Sequence, residues 1–136
     1  MSRVLIIDDE EKITRILSEA VASEGYDVDT YAGAEAAVPL IEKGDVDIIL
    51  CDLRLGGMDG LELLRRTRGI SPGTDFVMMT AYASTSTAVE AMRLGAYEYL
   101  IKPFQIDEVI LLLRRISERR ELMIENSALK EKISLK

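Results

Sequence analysis

The chain has 136 residues, 48% of them apolar and 30% charged, with a net charge of −7, one cysteine and no histidine. That length and balance predict one soluble globular domain with a single sizeable core. The missing histidine excludes imidazole acid–base catalysis, Ser-His triads and His-ligated zinc, and the negative charge argues against this segment gripping a nucleic-acid backbone.

In chain order, Arg3 to Ile7 reads as a short buried strand running straight into the acids of "VLIIDDEE". Ile13, Ile16, Leu17, Ala20 and Val21 then share one helical face, stopped at Gly25. Asp27 to Tyr31 is an alternating strand, expected at or near an edge. Ala34, Ala37, Val38 and Ile41 mark a second helix ended by Gly44, which Pro39 should kink or shorten. Val46 to Cys51 is an apolar run of the kind a central strand shows, and "LGGMDG" leads from it into a helix with Leu61 and Leu64. Ser71-Pro72-Gly73 is turn chemistry. Phe76 to Met79 reads as a fourth strand, Ala88, Ala91 and Met92 as a fourth helix ended by Gly95, Tyr97 to Ile101 as a fifth strand stopped by Pro103, and a last helix begins near Ile106.

Strands and helices in such alternation predict an α/β fold: a doubly wound five-stranded parallel sheet with right-handed crossovers. Sheets of this kind bind ligands at the carboxyl ends of their strands. Asp8-Asp9, Asp52, Thr80 and Lys102 are the residues found there. Two carboxylates about 5 Å apart repel by roughly 3 kcal/mol at an effective dielectric near 20. A hard divalent cation such as Mg2+ takes oxygen ligands and relieves that repulsion. A lysine ammonium and a threonine hydroxyl beside it suit the oxygens of a phosphoryl group, and an aspartate can itself accept that group as an acyl phosphate. Asp52, ending the central strand, is best placed. Singly, each residue has an ordinary explanation: Asp8, Asp9 and Glu10 as helix-capping acids, Thr80 as a strand-end hydroxyl, Lys102 as a surface lysine. Together, in order and each at a strand end, they point to one site. Cys51 within its apolar strand reads as inert core.

Asp8-Asp9, Asp52 followed by "MDG", "MTA" with Thr80, and "KPF" with Lys102 make the sequence resemble a response-regulator receiver domain of two-component signalling, over about Arg3 to Ser117. The resemblance implies the strand order 2-1-3-4-5. It implies that Asp52 is phosphorylated by a sensor histidine kinase in a phosphorelay. Asp9, Asp52 and the Arg54 backbone carbonyl would ligate Mg2+, with Asp8 acting through water. Thr80 and Lys102 would contact the phosphoryl oxygens, and the Lys102-Pro103 bond would be cis. Gly56 stands where the family often has proline, so the loop bearing the Arg54 carbonyl is expected to be looser. Thr80 and Tyr99 resemble the family's switch pair: Thr80 is drawn to the phosphate, Tyr99 turns inward, and small residues at Ala81, Ala83 and Ser84 leave room.

From Gln105 to Lys136 there is no glycine or proline. Val109, Leu112, Leu113 and Ile116 are placed to pack the last helix, whereas Leu122, Asn126, Leu129 and Ile133 follow heptad spacing, with asparagine at a and leucine at d as in parallel two-stranded coils. The expected division is a receiver over 1–117 and a coiled-coil-like signalling linker over 118–136, leading to output domains beyond this chain. "TAVEAMRLGAYEYLIKPF" and "ENSALKEK" most resemble the receivers of sigma-54-dependent transcriptional activators. That implies a cytoplasmic phosphoprotein that regulates transcription. It would dimerise through the linker or the helix-four, strand-five, helix-five face, and act as a phosphoacceptor with only slow autodephosphorylation, not as an enzyme. No signal peptide or membrane contact is expected. Two other readings stay open. One is a stand-alone receiver working through protein contacts. The other is an aspartyl phosphatase, disfavoured because Asp52-Leu53-Arg54 lacks the second acid of an Asp-x-Asp pair. A flavodoxin-like cofactor site is disfavoured because acids after the first strand would repel a phosphate.

Overall fold

In the computed structural model, residues 2–82 and 84–134 are described, with side chains to 128. Ala83 and the side chains of Leu129 and Ile133, named above, therefore lie outside the described residues. Five parallel strands, β1 (Arg3–Ile7), β2 (Asp27–Tyr31), β3 (Ile48–Asp52), β4 (Asp75–Thr80) and β5 (Glu98–Ile101), pair in the order β2-β1-β3-β4-β5. The helices between them are α1 (Glu11–Ser23), α2 (Ala34–Glu42), α3 (Gly60–Ile70) and α4 (Thr85–Arg93), and α5 (Ile106–Ser134) follows β5. This is the expected doubly wound sheet, with β2 at the expected edge.

Successive strand residues face opposite sides, and the core follows that period. Leu5, Ile7, Ile49, Cys51, Phe76 and Met78 form one cluster with Ala34, Ala37 and Ile41 of α2, Leu63 and Leu64 of α3, and Ala91 of α4. Val4, Ile6, Ile48, Leu50, Val77 and Met79 are equally buried on the other side, and α1 brings its buried Leu17 and Val21. β1, β3 and β4 are thus covered on both faces, which is why they read as unbroken apolar runs.

Three boundaries differ from expectation. β3 starts two residues later and ends one residue later than expected, because Asp52 pairs with Met79 whereas Val46 gives its carbonyl to the Thr74 hydroxyl at 2.8 Å. β4 includes Asp75 and Thr80, and β5 leaves out Tyr97. Asp52 and Thr80 are therefore the last paired residues of their strands and inherit the sheet's rigidity. Pro39 does not end α2, which continues to Glu42, the Pro39 carbonyl accepting from the Lys43 N–H at 3.3 Å. In so short a helix one missing N–H forfeits one bond, and burial of Ala34, Ala37 and Ile41 outweighs it. Gly25, Gly44 and Gly95 end α1, α2 and α4 at left-handed φ of 96°, 76° and 100°, a region open to glycine without Cβ strain.

Two compact units are distinguished, one up to Phe104 and one from Gln105 on. Along α5, Val109, Leu112, Leu113 and Ile116 are buried, whereas Leu122, Met123 and Ile124 are exposed. No helix among the described residues is long and apolar enough to cross a membrane.

Candidate functional site

The carboxyl ends of β1, β3, β4 and β5 are held in line by backbone bonds. Asp8 N–H donates to Tyr31 O at 3.1 Å, Leu53 N–H to Met79 O at 2.9 Å and Lys102 N–H to Thr80 O at 2.8 Å. Lys102, one residue beyond β5, extends its side chain back across the sheet edge. Its Nζ donates to Asp8 Oδ2 at 2.7 Å and Asp52 Oδ2 at 3.0 Å, and lies 3.5 Å from Glu10 Oε1. The Lys102, Asp8 and Asp52 side chains are only 8%, 0% and 10% exposed, so these charges compensate one another in a low-dielectric setting.

Each carboxylate is also aimed by the backbone. Asp8 Oδ1 accepts the Glu10 N–H at 2.9 Å, and Asp52 Oδ1 the Arg54 N–H at 3.3 Å. The Thr14 hydroxyl donates to Asp8 O at 3.1 Å, tying α1 to the site. Burial pushes the Asp52 carboxyl above the usual aspartate range, with the Asp8 charge adding to the rise and Lys102 opposing it. Burial alone would lower the Lys102 ammonium, but its bonds to Asp8 and Asp52 prevail and raise it. Burial raises the Cys51 thiol well above its ordinary value, in keeping with core packing.

Ligand oxygens of Asp8, Glu10 and Asp52 lie within 4.8 Å of one another. An all-carboxylate donor set, two members buried and one exposed, fits a hard divalent cation that keeps part of its water shell. Of the gathered acids, Asp8 and Asp52 belong to the expected metal set and Glu10 does not. Asp9, assigned as a direct ligand, is exposed and outside the cluster, while Asp8, expected to act through water, is in it. Glu10, read only as a helix-capping acid, has no side-chain cap bond in α1 and is the third member. The chain bends at Asp9, and the Glu10 N–H turns back onto Asp8 Oδ1 at 2.9 Å, so no strand period carried past Ile7 signals this grouping.

Thr80 is fully buried, and its Oγ1 accepts the Tyr82 N–H at 2.9 Å, which turns the chain sharply after β4. The Arg54 guanidinium stacks 4.2 Å from the centroid of the exposed Tyr82 ring, bridging the loops after β3 and β4. Tyr99 is half-buried, and its hydroxyl lies 2.9 Å from Thr87 Oγ1 on α4. Ser84 caps α4 by accepting the Thr87 N–H at 3.2 Å, and Asp59 caps α3 by accepting the Glu62 N–H at 2.9 Å. The Lys102-Pro103 peptide bond is cis.

Residues 4–114 match the family model for the response regulator receiver domain. The chain is 37% identical to the regulatory protein AtoC of Escherichia coli K12 over 98% of its own length and 29% of AtoC. It is 38% identical to the transcriptional regulatory protein TcrA of Mycobacterium tuberculosis over 86% of its own length and 46% of TcrA. It thus spans less than half of these curated relatives. Among solved structures, NtrX from Brucella abortus superposes with a TM-score of 0.85 at 32% identity, covering 95% of this chain and 30% of that one.

Proposed function

This chain belongs to the response regulator receiver domain family, and from that premise we propose that it is a phosphorylation switch with Asp52 as its phosphoacceptor. The observation that carries this reading is the Lys102 ammonium, held 3.0 Å from the Asp52 carboxylate at the end of the central strand. An Asp52 oxygen attacks the phosphorus of a phosphohistidine on a sensor kinase. The nitrogen–phosphorus bond breaks, the imidazole keeps its electron pair, and an acyl phosphate forms on Asp52. Lys102 moves its hydrogen bonds onto the phosphoryl oxygens, and the Thr80 hydroxyl, released from the Tyr82 N–H, supplies another. Asp8, Asp9, Asp52 and the Arg54 carbonyl are the proposed holders of Mg2+, with Glu10 now added. A bound cation supplies charge neutralisation for the carboxylates and the incoming phosphoryl group.

Departure of Thr80 from its bond to Tyr82 loosens the start of α4 and opens room for Tyr99, making α4 and β5 the two-state element. The matches to full-length regulators support the reading that output domains follow. They also support the resemblance to sigma-54-dependent activators, and a role in cytoplasmic transcription control. The exposed Leu122, Met123 and Ile124 suit a linker from 118 on that associates with a second copy. The aspartyl phosphatase reading gains no support, since Arg54 stands where the second acid would be and is stacked on Tyr82. Intact mass after incubation with acetyl phosphate and Mg2+ tests the proposal. A gain of one phosphoryl group is expected, lost in Asp52→Ala. Retention of the gain in that variant, or catalytic turnover of external phosphomonoesters, overturns the reading.

A further inference from the structure

The loop from Leu53 to Asp59, between β3 and α3, packs Leu53, Leu55 and Met58 on the core but carries two adjacent glycines at its middle. Gly56 and Gly57 are consecutive and exposed, a Cβ at Gly56 would have nothing within 4 Å, and Gly57 sits at a φ of +84°. Such a pair gives a chain wide conformational freedom. Yet the loop contains Arg54, whose carbonyl is the proposed metal ligand. Its ends are tied: Leu53 N–H to Met79 O, Gly60 N–H to Leu53 O at 2.9 Å, and Asp59 capping α3. Its middle is held from elsewhere. Glu35, an exposed residue in the first turn of α2, accepts the Met58 N–H on Oε1 at 2.5 Å, across 23 residues of sequence. A Cβ at Gly57 would run into this carboxylate, so the glycine is what lets it in. The Met58 N–H in turn holds the Glu35 carboxyl below its usual range.

We propose that Glu35 is a positioning residue: by gripping the Met58 N–H from α2 it fixes the glycine-rich loop and so pre-orders the Arg54 carbonyl for the metal. The proposal rests on the reading of Asp52 and Arg54 given above. Glu35 touches no reacting atom and acts only through the loop. A backbone N–H bonded to a carboxylate is among the stronger hydrogen bonds. A loop already ordered loses less freedom when its carbonyl binds a cation.

The test uses the 136-residue chain with Glu35→Ala and Glu35→Gln. Met58 amide exchange is followed by NMR without metal, Mg2+ affinity by calorimetry, and Asp52 phosphorylation by intact mass. In Glu35→Ala, Met58 exchange is expected to accelerate and the Mg2+ dissociation constant to rise roughly tenfold. Glu35→Gln keeps an acceptor oxygen but not the charge, and should recover most of both. Unchanged Mg2+ affinity in Glu35→Ala despite a deprotected Met58 amide overturns the proposal. So does a Gln variant no better than Ala, which would reduce Glu35 to one more distant negative charge. Failure of wild-type Asp52 to take a phosphoryl group would count against the phosphoacceptor reading alone, because the exchange and Mg2+ arms still decide the role of Glu35.

Discussion

The Lys102 ammonium and the Asp52 carboxylate, 50 residues apart in sequence, are 3.0 Å apart in the fold, with Asp8 sharing the same ammonium at 2.7 Å. This lysine is the internal counter-charge of the acid cluster. Lys102→Ala leaves two buried carboxylates facing each other and should destabilise the metal-free protein by about 3 kcal/mol. Mg2+ should stabilise the variant more than it stabilises wild type. Urea unfolding with and without Mg2+ measures this, and an equal loss in both conditions would contradict it.

Acidification should weaken the site early. Because burial raises Asp52 above its ordinary value of 3.8, this residue holds its proton at a pH where an exposed aspartate has lost it. Only the ionised form ligates a cation or attacks phosphorus, so on acidification Mg2+ affinity should start to drop while the pH is still above 3.8. For stability the sign is opposite: the folded state binds this proton more tightly than the unfolded one. The Asp52 contribution is therefore fullest below its unfolded value and declines as pH rises through the raised one. Carboxyl NMR of metal-free protein locates the titration, and a midpoint at or below 3.8 would refute this.

Tyr99 and Thr87 join β5 to α4 through their hydroxyls at 2.9 Å. Tyr99→Phe and Thr87→Val should each cost about 1 kcal/mol, and the double variant less than their sum. If Tyr99 turns inward on phosphorylation, that coupling should vanish in protein treated with beryllium fluoride and Mg2+. Full coupling in the treated protein would exclude the turn.

Gly60→Ala should destabilise the protein by about 2 kcal/mol and slow acceptance at Asp52. A Cβ at Gly60 would lie 2.6 Å from Asp52 O, 2.8 Å from Met78 Sδ and 3.0 Å from Leu53 Cα. Two of these are backbone atoms, so relief must come from moving the residue that bears the acceptor carboxylate or the one after it. Urea unfolding and phosphorylation rates measured together check both effects.

Much of this was legible in the chain because it depends on local period. Unbroken apolar runs gave away β1, β3 and β4, since strands covered on both faces have no polar side to show. Gly25, Gly44 and Gly95 marked helix ends because the left-handed turn they make is penalised for other residues. The limits of β3 and β4 were misread by one or two residues, because pairing partners, not composition, decide where a strand stops. Asp52, read as the residue that ends the central strand, is itself the last rung of the ladder.

By itself, then, the sequence determined the doubly wound sheet and the short list of residues at its carboxyl edge, because alternation and punctuation are properties of neighbours along the chain. Only the tertiary structure decided that ligand oxygens of Glu10, Asp8 and Asp52 lie within 4.8 Å of one another, that Tyr99 meets Thr87, and that Glu35 reaches across 23 residues to hold Met58. Side-chain reach across a sheet edge depends on how strands register and helices enter. Those are outcomes of packing, which no local pattern records.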